Sequence, residues 1–347
     1  MTTPEGVDLE RLRGYFTDHV PGASGAPLSA ELIAGGRSNL TYRVTDGEHA
    51  WVLRRPPLGH VLPTAHDMAR EYRVLRALAD TDVPVPRALA FCEDADLNGA
   101  PFYVMELIDG VILRTADELA VLSPDQAAAC SRQLIDVLAR LHSIDYNAIG
   151  LGDFGHPDGF LERNVRRWGE QWQRSKTREL PGVDELARRL TAAMPESGPP
   201  AIVHGDYRLD NTMLAPDDPS RIVAVLDWEM STIGDPLSDV GLFLLYWGHH
   251  EGAVVSPWAV TGVPGVLSRD EVIARYAQQS GRTIDTLDFY VVLASYKLAV
   301  ILEGINARFQ MGKTLGEGFD TIGVMVTGLV DAALEIANQS SIAALRG

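Results

Sequence analysis

The stretches AIVHGDYRLDNTML, residues 201–214, and RIVAVLDWEMSTIGDPLSD, residues 221–239, decide how this chain is read. A short apolar run, 201–203, delivers His204-Gly205-Asp206, and four residues further on stands Asn211. A second apolar run, 222–226, delivers Asp227-Trp228-Glu229, and Pro216-Asp217-Asp218-Pro219 between the two runs is a turn. If 211–214 and 222–227 pair as an antiparallel hairpin, Asn211 opens one strand and Asp227 closes the other. Both then fall at the open end, with Asp206 in the loop just upstream. Three oxygen-bearing side chains gathered without a cysteine or histidine cluster suit Mg²⁺ held partly through phosphates. One anion to hold a hydroxyl and two groups to hold metal is the division of labour that phosphoryl transfer requires.

Upstream of this region the chain changes character once. From residue 28 to about 108 it reads as strands and turns with one helix. Residues 41–44 and 50–54 alternate around Asp46-Gly47, a hairpin signal. A helix is predicted over 65–79, stopped by Pro84 and Pro86, and 88–91 and 101–107 read as two more strands around Asn98-Gly99. Beyond Asp109-Gly110 the pattern is helical. Ser123-Pro124 with Gln126 is a capping box, followed by the apolar stripe Cys130, Leu134, Val137, Leu138 and Leu141 that ends at His142. Ser268 and Glu271 form a second capping box, 287–309 is apolar on nearly every side, and 320–337 reads as an amphipathic helix. The division expected is a small mixed lobe, 1–108, and a larger helical one, 109–347, with the ligand in a cleft between such lobes.

Composition narrows the possibilities. The chain has 347 residues, of which 46% are hydrophobic and 22% charged, the make-up of a globular protein. Asp and Glu number 47 against 30 Lys and Arg, a formal charge of −17 that repels phosphate backbones and anionic membranes. The longest apolar stretch, 240–247, is far short of the roughly 20 residues of a membrane span. No secretory signal is read at the N-terminus, and two cysteines, Cys92 and Cys130, suit a reducing compartment. The expectation is a soluble cytoplasmic protein with neither nucleic-acid nor membrane partner. Only Lys176, Lys297 and Lys313 are lysines, so any fixed cation needed in the first 175 residues has to be arginine.

His204-Gly205-Asp206-x4-Asn211, Leu226-Asp227-Trp228-Glu229 and Gly234-Asp235-Pro236-x2-Asp239 together resemble the signature of aminoglycoside phosphotransferase-like kinases. That group includes choline kinases and is related to the protein-kinase fold. The resemblance extends over 33–329, and the motif wording is most similar to the kinase domains associated with acyl-CoA dehydrogenases, which phosphorylate hydroxylated acyl substrates. It implies an α+β, bilobal fold: a small antiparallel-sheet lobe with one helix that binds nucleotide, and a larger, mainly helical lobe for catalysis and substrate binding. It also implies ATP and Mg²⁺ as cofactors and a small-molecule hydroxyl as acceptor. Asp206 matches the aspartate that accepts the hydroxyl proton, Asn211 and Asp227 the two magnesium ligands, and Asp239 the helix aspartate that braces the catalytic loop. Arg208 stands where a cation meets the transferred phosphate. In the small lobe, Gly35-Gly36-Arg37-Ser38-Asn39 lies where a phosphate-covering loop lies, with Ser38 as a donor. Arg54 replaces the usual phosphate-pairing lysine, Glu71 is its partner, and Met105-Glu106-Leu107 offers backbone groups to an adenine.

Other conspicuous residues have plainer readings. His204 braces its loop, Trp168 and Trp172 at i, i+4 are helix packing, and His249-His250 belong to a solvated loop. Glu229 either binds a second metal or faces solvent. Asp235 before Pro236 is a helix cap. Gly312-Lys313-Thr314 is not a phosphate loop, because Ala307 stands where that pattern needs glycine. Three functions compete: a kinase for a hydroxy acid, hydroxyacyl-CoA or aminoglycoside; a nucleotide-binding module without turnover; and a hydrolase using the same carboxylates on water. The acceptor pocket is expected from 160–172 and 246–258.

Overall fold

The structure is a computed structural model that describes residues 4–33, 39–58, 67–248, 260, 262–312 and 319–347. In chain order its first elements are α1 (Leu9–His19), β1 (Ser29–Leu32), β2 (Leu40–Thr45), β3 (Ala50–Arg55), α2 (Met68–Leu78), β4 (Ala88–Cys92), α3 (Ala95–Asn98) and β5 (Phe102–Glu106). There follow α4 (Ala116–Leu119), α5 (Pro124–Leu141), α6 (Phe160–Ser175), α7 (Pro181–Ala192), β6 (Ala201–Val203), β7 (Thr212–Leu214), β8 (Ile222–Val225) and β9 (Thr232–Gly234). The last are α8 (Leu237–Trp247), α9 (Arg269–Ser280), α10 (Leu287–Gln310), α11 (Ile322–Gln339) and α12 (Ala343–Arg346).

The described residues fall into two compact units. One comprises residues up to Val111 with Ile149–Leu151 and Thr212–Ser231; the other comprises Ile112–Ala148, Gly152–Asn211 and Thr232–Gly347. The single cut expected at 108/109 does not foresee the return of Thr212–Ser231 to the first unit. Its cause is backbone pairing: Val111 and Leu214 exchange N–H···O bonds, and the Val225 amide donates to the Pro84 carbonyl at 2.8 Å.

In the first unit the strands form an antiparallel sheet of order β1-β2-β3-β5-β4. Period-two alternation gives it two different faces. Tyr42, Val44, Trp51, Leu53, Ala90, Cys92, Phe102 and Val104 share one face and bury against Leu12 and Phe16 of α1. The sequence reading, which begins at residue 28, does not foresee α1; its signal is Asp8, whose side chain caps the helix by accepting from the Arg11 amide. Residues 52, 54, 91, 103 and 105 fall on the other face, which carries α2, with Tyr72 of α2 stacked on Phe91. The predicted Asp46-Gly47 hairpin forms in register, Thr45 opposite Ala50, and the Asp46 carboxylate accepts from the His49, Glu48 and Ser24 amides.

The second unit is organised by α10, which is buried on nearly all sides and packs against α11, α8, α6 and α7. Both capping boxes form, at Ser123/Gln126 and Ser268/Glu271. A two-strand ladder, β6 with β9, pairs Ala201 with Gly234 and Val203 with Thr232, so His204 and Asp235 leave from opposite strands of one small sheet. Among the described residues no helix is long and apolar enough to cross a membrane.

The approach of α8 to α10 depends on Gly241. A Cβ there meets the Tyr290 carbonyl, 2.5 Å from its carbon. Backbone cannot yield as a flexible side chain does, so Gly241→Ala is expected to destabilise the chain by about 1–3 kcal/mol, read from urea unfolding. An unchanged midpoint would show that the two helices are not in contact through this residue.

Candidate active site

In the first unit, β3 turns Arg54 onto the face that carries α2. Glu71 lies in the first turn of α2 on the same inward stripe as Val74, Leu75 and Leu78. Arg54 Nε lies 3.3 Å from Glu71 Oε1, and both side chains are nearly buried, at 12% and 1% exposure. Arg54 Nη2 also donates to Asp227 Oδ1 at 2.7 Å, so one guanidinium serves two carboxylates. Arg54 Nε is buried without an aligned hydrogen bond, and the Glu71 carboxylate beside it has the buried Tyr103 hydroxyl as its hydrogen-bonding neighbour. Groups of this kind are costly unless something else completes them. Asp227 is held at φ 65°, the one left-handed residue other than glycine among those described. Strain of this type gathers at functional positions. Next to it, Glu229 accepts from the buried Asn39 Nδ2 at 3.1 Å, a third reading beside the metal and solvent alternatives.

Burial pushes Glu71 up to about 7 in spite of Arg54, and the charges of Asp227 and Glu229 add to the rise. Burial also works against the Arg54 charge, but Glu71 and Asp227 hold the proton on, so the group that titrates in this pair is Glu71.

In the second unit the HGD loop is fixed by the side chains around it. Asp239, in the first turn of α8 and fully buried, accepts the His204 amide on Oδ2 at 2.7 Å and the Gly205 amide on Oδ1 at 2.8 Å. His142 at the end of α5 stands behind it, with Nε2 3.2 Å from Asp239 Oδ2 and Nδ1 2.8 Å from the Tyr276 hydroxyl. A carboxylate only accepts, so the proton sits on Nε2 and Tyr276 donates to Nδ1. Burial lowers the His142 pKa and keeps the ring neutral. Burial alone would raise Asp239; the hydrogen bond from His142 and that from the Gly205 amide bring it below the usual range instead. The Asp206 amide donates to His204 Nδ1 at 3.2 Å, which agrees with a bracing role for that histidine.

Asp206 itself meets two partners. Asn211 Nδ2 donates to its carbonyl at 2.8 Å and to Oδ2 at 3.0 Å, and Arg208 Nε lies 3.4 Å from the same Oδ2. Arg208 is also 3.0 Å from Asp210 Oδ1 and stacks over the Tyr246 ring, 4.9 Å from its centroid. Asn211 thus gives both amide hydrogens to Asp206 and retains Oδ1 as an oxygen donor. It closes a 3₁₀ turn, Leu209–Asn211, rather than opening the strand, which starts one residue later with Thr212 opposite Val225. Asn211 Oδ1 in this unit and the Asp227 carboxylate in the other are each hard oxygens of the kind Mg²⁺ takes alongside phosphate oxygens. Among the described residues no three His, Cys, Asp or Glu gather into an all-protein cage.

The structure brings Arg54, Glu71 and Asp227 together in one unit and Asp206, Arg208 and Asn211 together in the other. Met105 and Glu106 lie at the end of β5, where the Glu106 amide is already committed to the Arg87 carbonyl at 2.9 Å and is unavailable to an adenine; Leu107 follows directly. Ser38 with Gly35 to Arg37, the expected helix start at 65, His249-His250 and Lys313-Thr314 lie outside the described residues. Trp172 is packed as expected, and Trp168 has the Arg167 guanidinium 5.5 Å from its ring centroid. Of the expected acceptor segments, Phe160, Leu161 and Glu162 line a cavity of about 460 Å³ with the loop 194–198 and Asp235. Asp235 caps α8 as expected through the Leu237 amide and also accepts the Tyr290 hydroxyl at 2.7 Å. The sequence reading does not foresee His142, Asp210 or Lys297 at this site, and it has Tyr246 only as the start of an expected acceptor segment. For Lys297 the signal was its rarity, a lone amine in an apolar helix.

This combination of fold and motif loop defines a protein-kinase-like phosphotransferase. Residues 29–290 match the phosphotransferase enzyme family, and the chain belongs to it. The chain is 33% identical to acyl-CoA dehydrogenase family member 11 of Rattus norvegicus over 96% of its own length. It spans only 44% of that relative's length. A crystal structure of a candidate aminoglycoside phosphotransferase from Ralstonia eutropha superposes with TM-score 0.85 at 34% identity, covering 96% of this chain and 99% of that one. The fold extends at 15% identity to choline kinase from Cryptosporidium parvum, TM-score 0.68, covering 98% and 99% of the two chains. It extends likewise to aminoglycoside phosphotransferase APH(4)-Ia solved with AMP-PNP and hygromycin B, TM-score 0.61, covering 95% and 99%.

The raised Glu71 pKa has a thermodynamic consequence. Its folded value, about 7, lies above the ordinary 4.5, so its contribution to stability is full below about 4.5 and is lost as pH climbs to about 7. Urea unfolding of the wild-type chain is expected to show a larger loss of stability between pH 5 and pH 8 than Glu71→Gln shows. Equal losses in both proteins would mean that Glu71 is ionised throughout.

Proposed function

We propose that the chain is a kinase that moves the γ-phosphoryl group of ATP, with Mg²⁺, to a hydroxyl of a small hydroxy acid or hydroxyacyl-CoA. The observation that carries this reading is the Asp206 carboxylate, held by Asn211 and Arg208 on a loop whose preceding amides are tied to Asp239. An anion on so fixed a loop suits the task of receiving an acceptor hydroxyl, since phosphoryl transfer depends mainly on positioning and charge neutralisation.

In this reading the first unit binds nucleotide and the second catalyses transfer and binds the acceptor. Arg54, kept charged and aligned by Glu71, pairs with nucleotide phosphates through its planar fork. The Met105 and Leu107 backbone meets the adenine, and Ser38 donates to the phosphates. Asn211 and Asp227 are the residues that would hold Mg²⁺, which neutralises phosphate charge when bound. Asp206 orients the acceptor hydroxyl and takes its proton, and Arg208 offers its charge to the transferred group. ATP use is supported by the AMP-PNP complex of APH(4)-Ia, and the acyl acceptor by the acyl-CoA dehydrogenase relatives. The description of the Ralstonia protein favours an aminoglycoside acceptor instead.

Two measurements decide these points. Asp206→Asn is expected to lower kcat by about 10²–10⁴-fold while Mg·AMP-PNP binding is retained; undiminished turnover would refute the assigned role. Transfer of labelled phosphate from ATP to hydroxy acids, hydroxyacyl-CoAs, choline and aminoglycosides is expected to favour the acyl compounds. Preference for an aminoglycoside would assign the rival acceptor, and phosphate release at the same rate without any acceptor would assign a hydrolase.

A further inference from the structure

Helix α10 is buried from Phe289 to Leu302 except at the half-buried Lys297 and Ile301, and Lys297 is the one ionisable amine within it. An ammonium in such surroundings is costly unless it is compensated. Burial lowers the Lys297 pKa, while the charges of Asp206 and Asp239 oppose that shift and Arg167 adds to it. The compensation is specific in geometry. Nζ donates to the Gly205 carbonyl at 2.8 Å and lies 6.0 Å from the Trp168 ring centroid.

Gly205 is the residue whose freedom matters most here. It sits at φ 86°, in the left-handed region where glycine is at ease, and it has no side chain to lock it. The peptide between Gly205 and Asp206 carries the catalytic-loop aspartate. Its N–H is taken by His204 Nδ1 and its carbonyl by Lys297, while the peptide before it is held by Asp239 through the Gly205 amide. Without Lys297 the carbonyl side of that peptide has no partner from α10, and the plane can turn about the glycine.

We propose that Lys297 is a positioning residue for phosphoryl transfer: its ammonium locks the Gly205–Asp206 peptide and thereby sets where the Asp206 carboxylate points. The proposal rests on the reading of Asp206 as the group that receives the acceptor hydroxyl. A charged donor to a carbonyl is stronger than a neutral one, which gives this amine a use in a largely apolar stretch of α10.

The test compares Lys297→Met, which keeps the apolar stem, with Lys297→Arg, which keeps a charged donor. Two readouts are used: amide hydrogen exchange over residues 204–211, and steady-state kinetics with the best acceptor of the screen. Lys297→Met is expected to exchange at least about tenfold faster in that segment and to lose at least about tenfold in kcat, with KM for ATP within about twofold of wild type. Lys297→Arg is expected to restore both. Wild-type exchange in Lys297→Met, or a rise in KM with kcat unchanged, would overturn the proposal. Should Lys297→Met fail to fold, Lys297→Arg decides alone: a folded protein with an unprotected loop refutes the lock. If the wild-type chain phosphorylates no acceptor, the kinase reading fails while the exchange measurement still judges Lys297.

Discussion

Asp239 is a buried carboxylate whose two oxygens take the backbone amides of consecutive residues, His204 and Gly205. Nothing else in the second unit constrains so much with so few atoms. A loop following a three-residue strand has little ladder to hold it, and its glycine is at a positive φ. Fixing the two amides removes the freedom that β6 alone cannot remove. The carboxylate is itself held from behind by a neutral His142, which Tyr276 in turn orients. Satisfied networks of this type specify one arrangement, because each member would be costly to bury unpartnered. Asp206 is thus the outermost layer of a structure that extends to α5, α8, α9 and α10.

The first unit solves its own problem by alternation. One face of its sheet packs an apolar cluster against α1, while the other carries Arg54 beneath α2. A guanidinium so nearly buried needs anions, and it has two, Glu71 and Asp227. One of these comes from α2 and the other from the excursion at Thr212–Ser231, so a single side chain joins three parts of the unit. Removing one partner of such an arrangement leaves a buried charge exposed to its full desolvation penalty.

Much of this was legible in the sequence for identifiable reasons. The hairpin at Asp46-Gly47 and both capping boxes are local, set by residues within four positions of each other, and they form as read. The motif residues could be found because three ordered motifs coincide. Counting shows that a fixed cation in the first 175 residues has to be arginine, and the resemblance of its strand singles out Arg54. What escaped is non-local. His142 looked like the end of an apolar stripe, and its meaning comes from Asp239, 97 positions away. Lys297 lies 92 residues from the carbonyl it holds. The return of Thr212–Ser231 to the first unit depends on a bridge to Val111 that no window of sequence contains. The Glu106 amide is a further case: its bond to the Arg87 carbonyl joins residues 19 positions apart that no local pattern pairs.

The arginine in β3 also sets the chemical character of the unit around it. A lysine amine can be acylated, carbamylated or captured by an aldehyde, whereas a guanidinium is always protonated and resists such reagents. Between residues 4 and 175 there is no side-chain amine at all. Reagents that acylate a side-chain amine would therefore pass over the first unit without a mark.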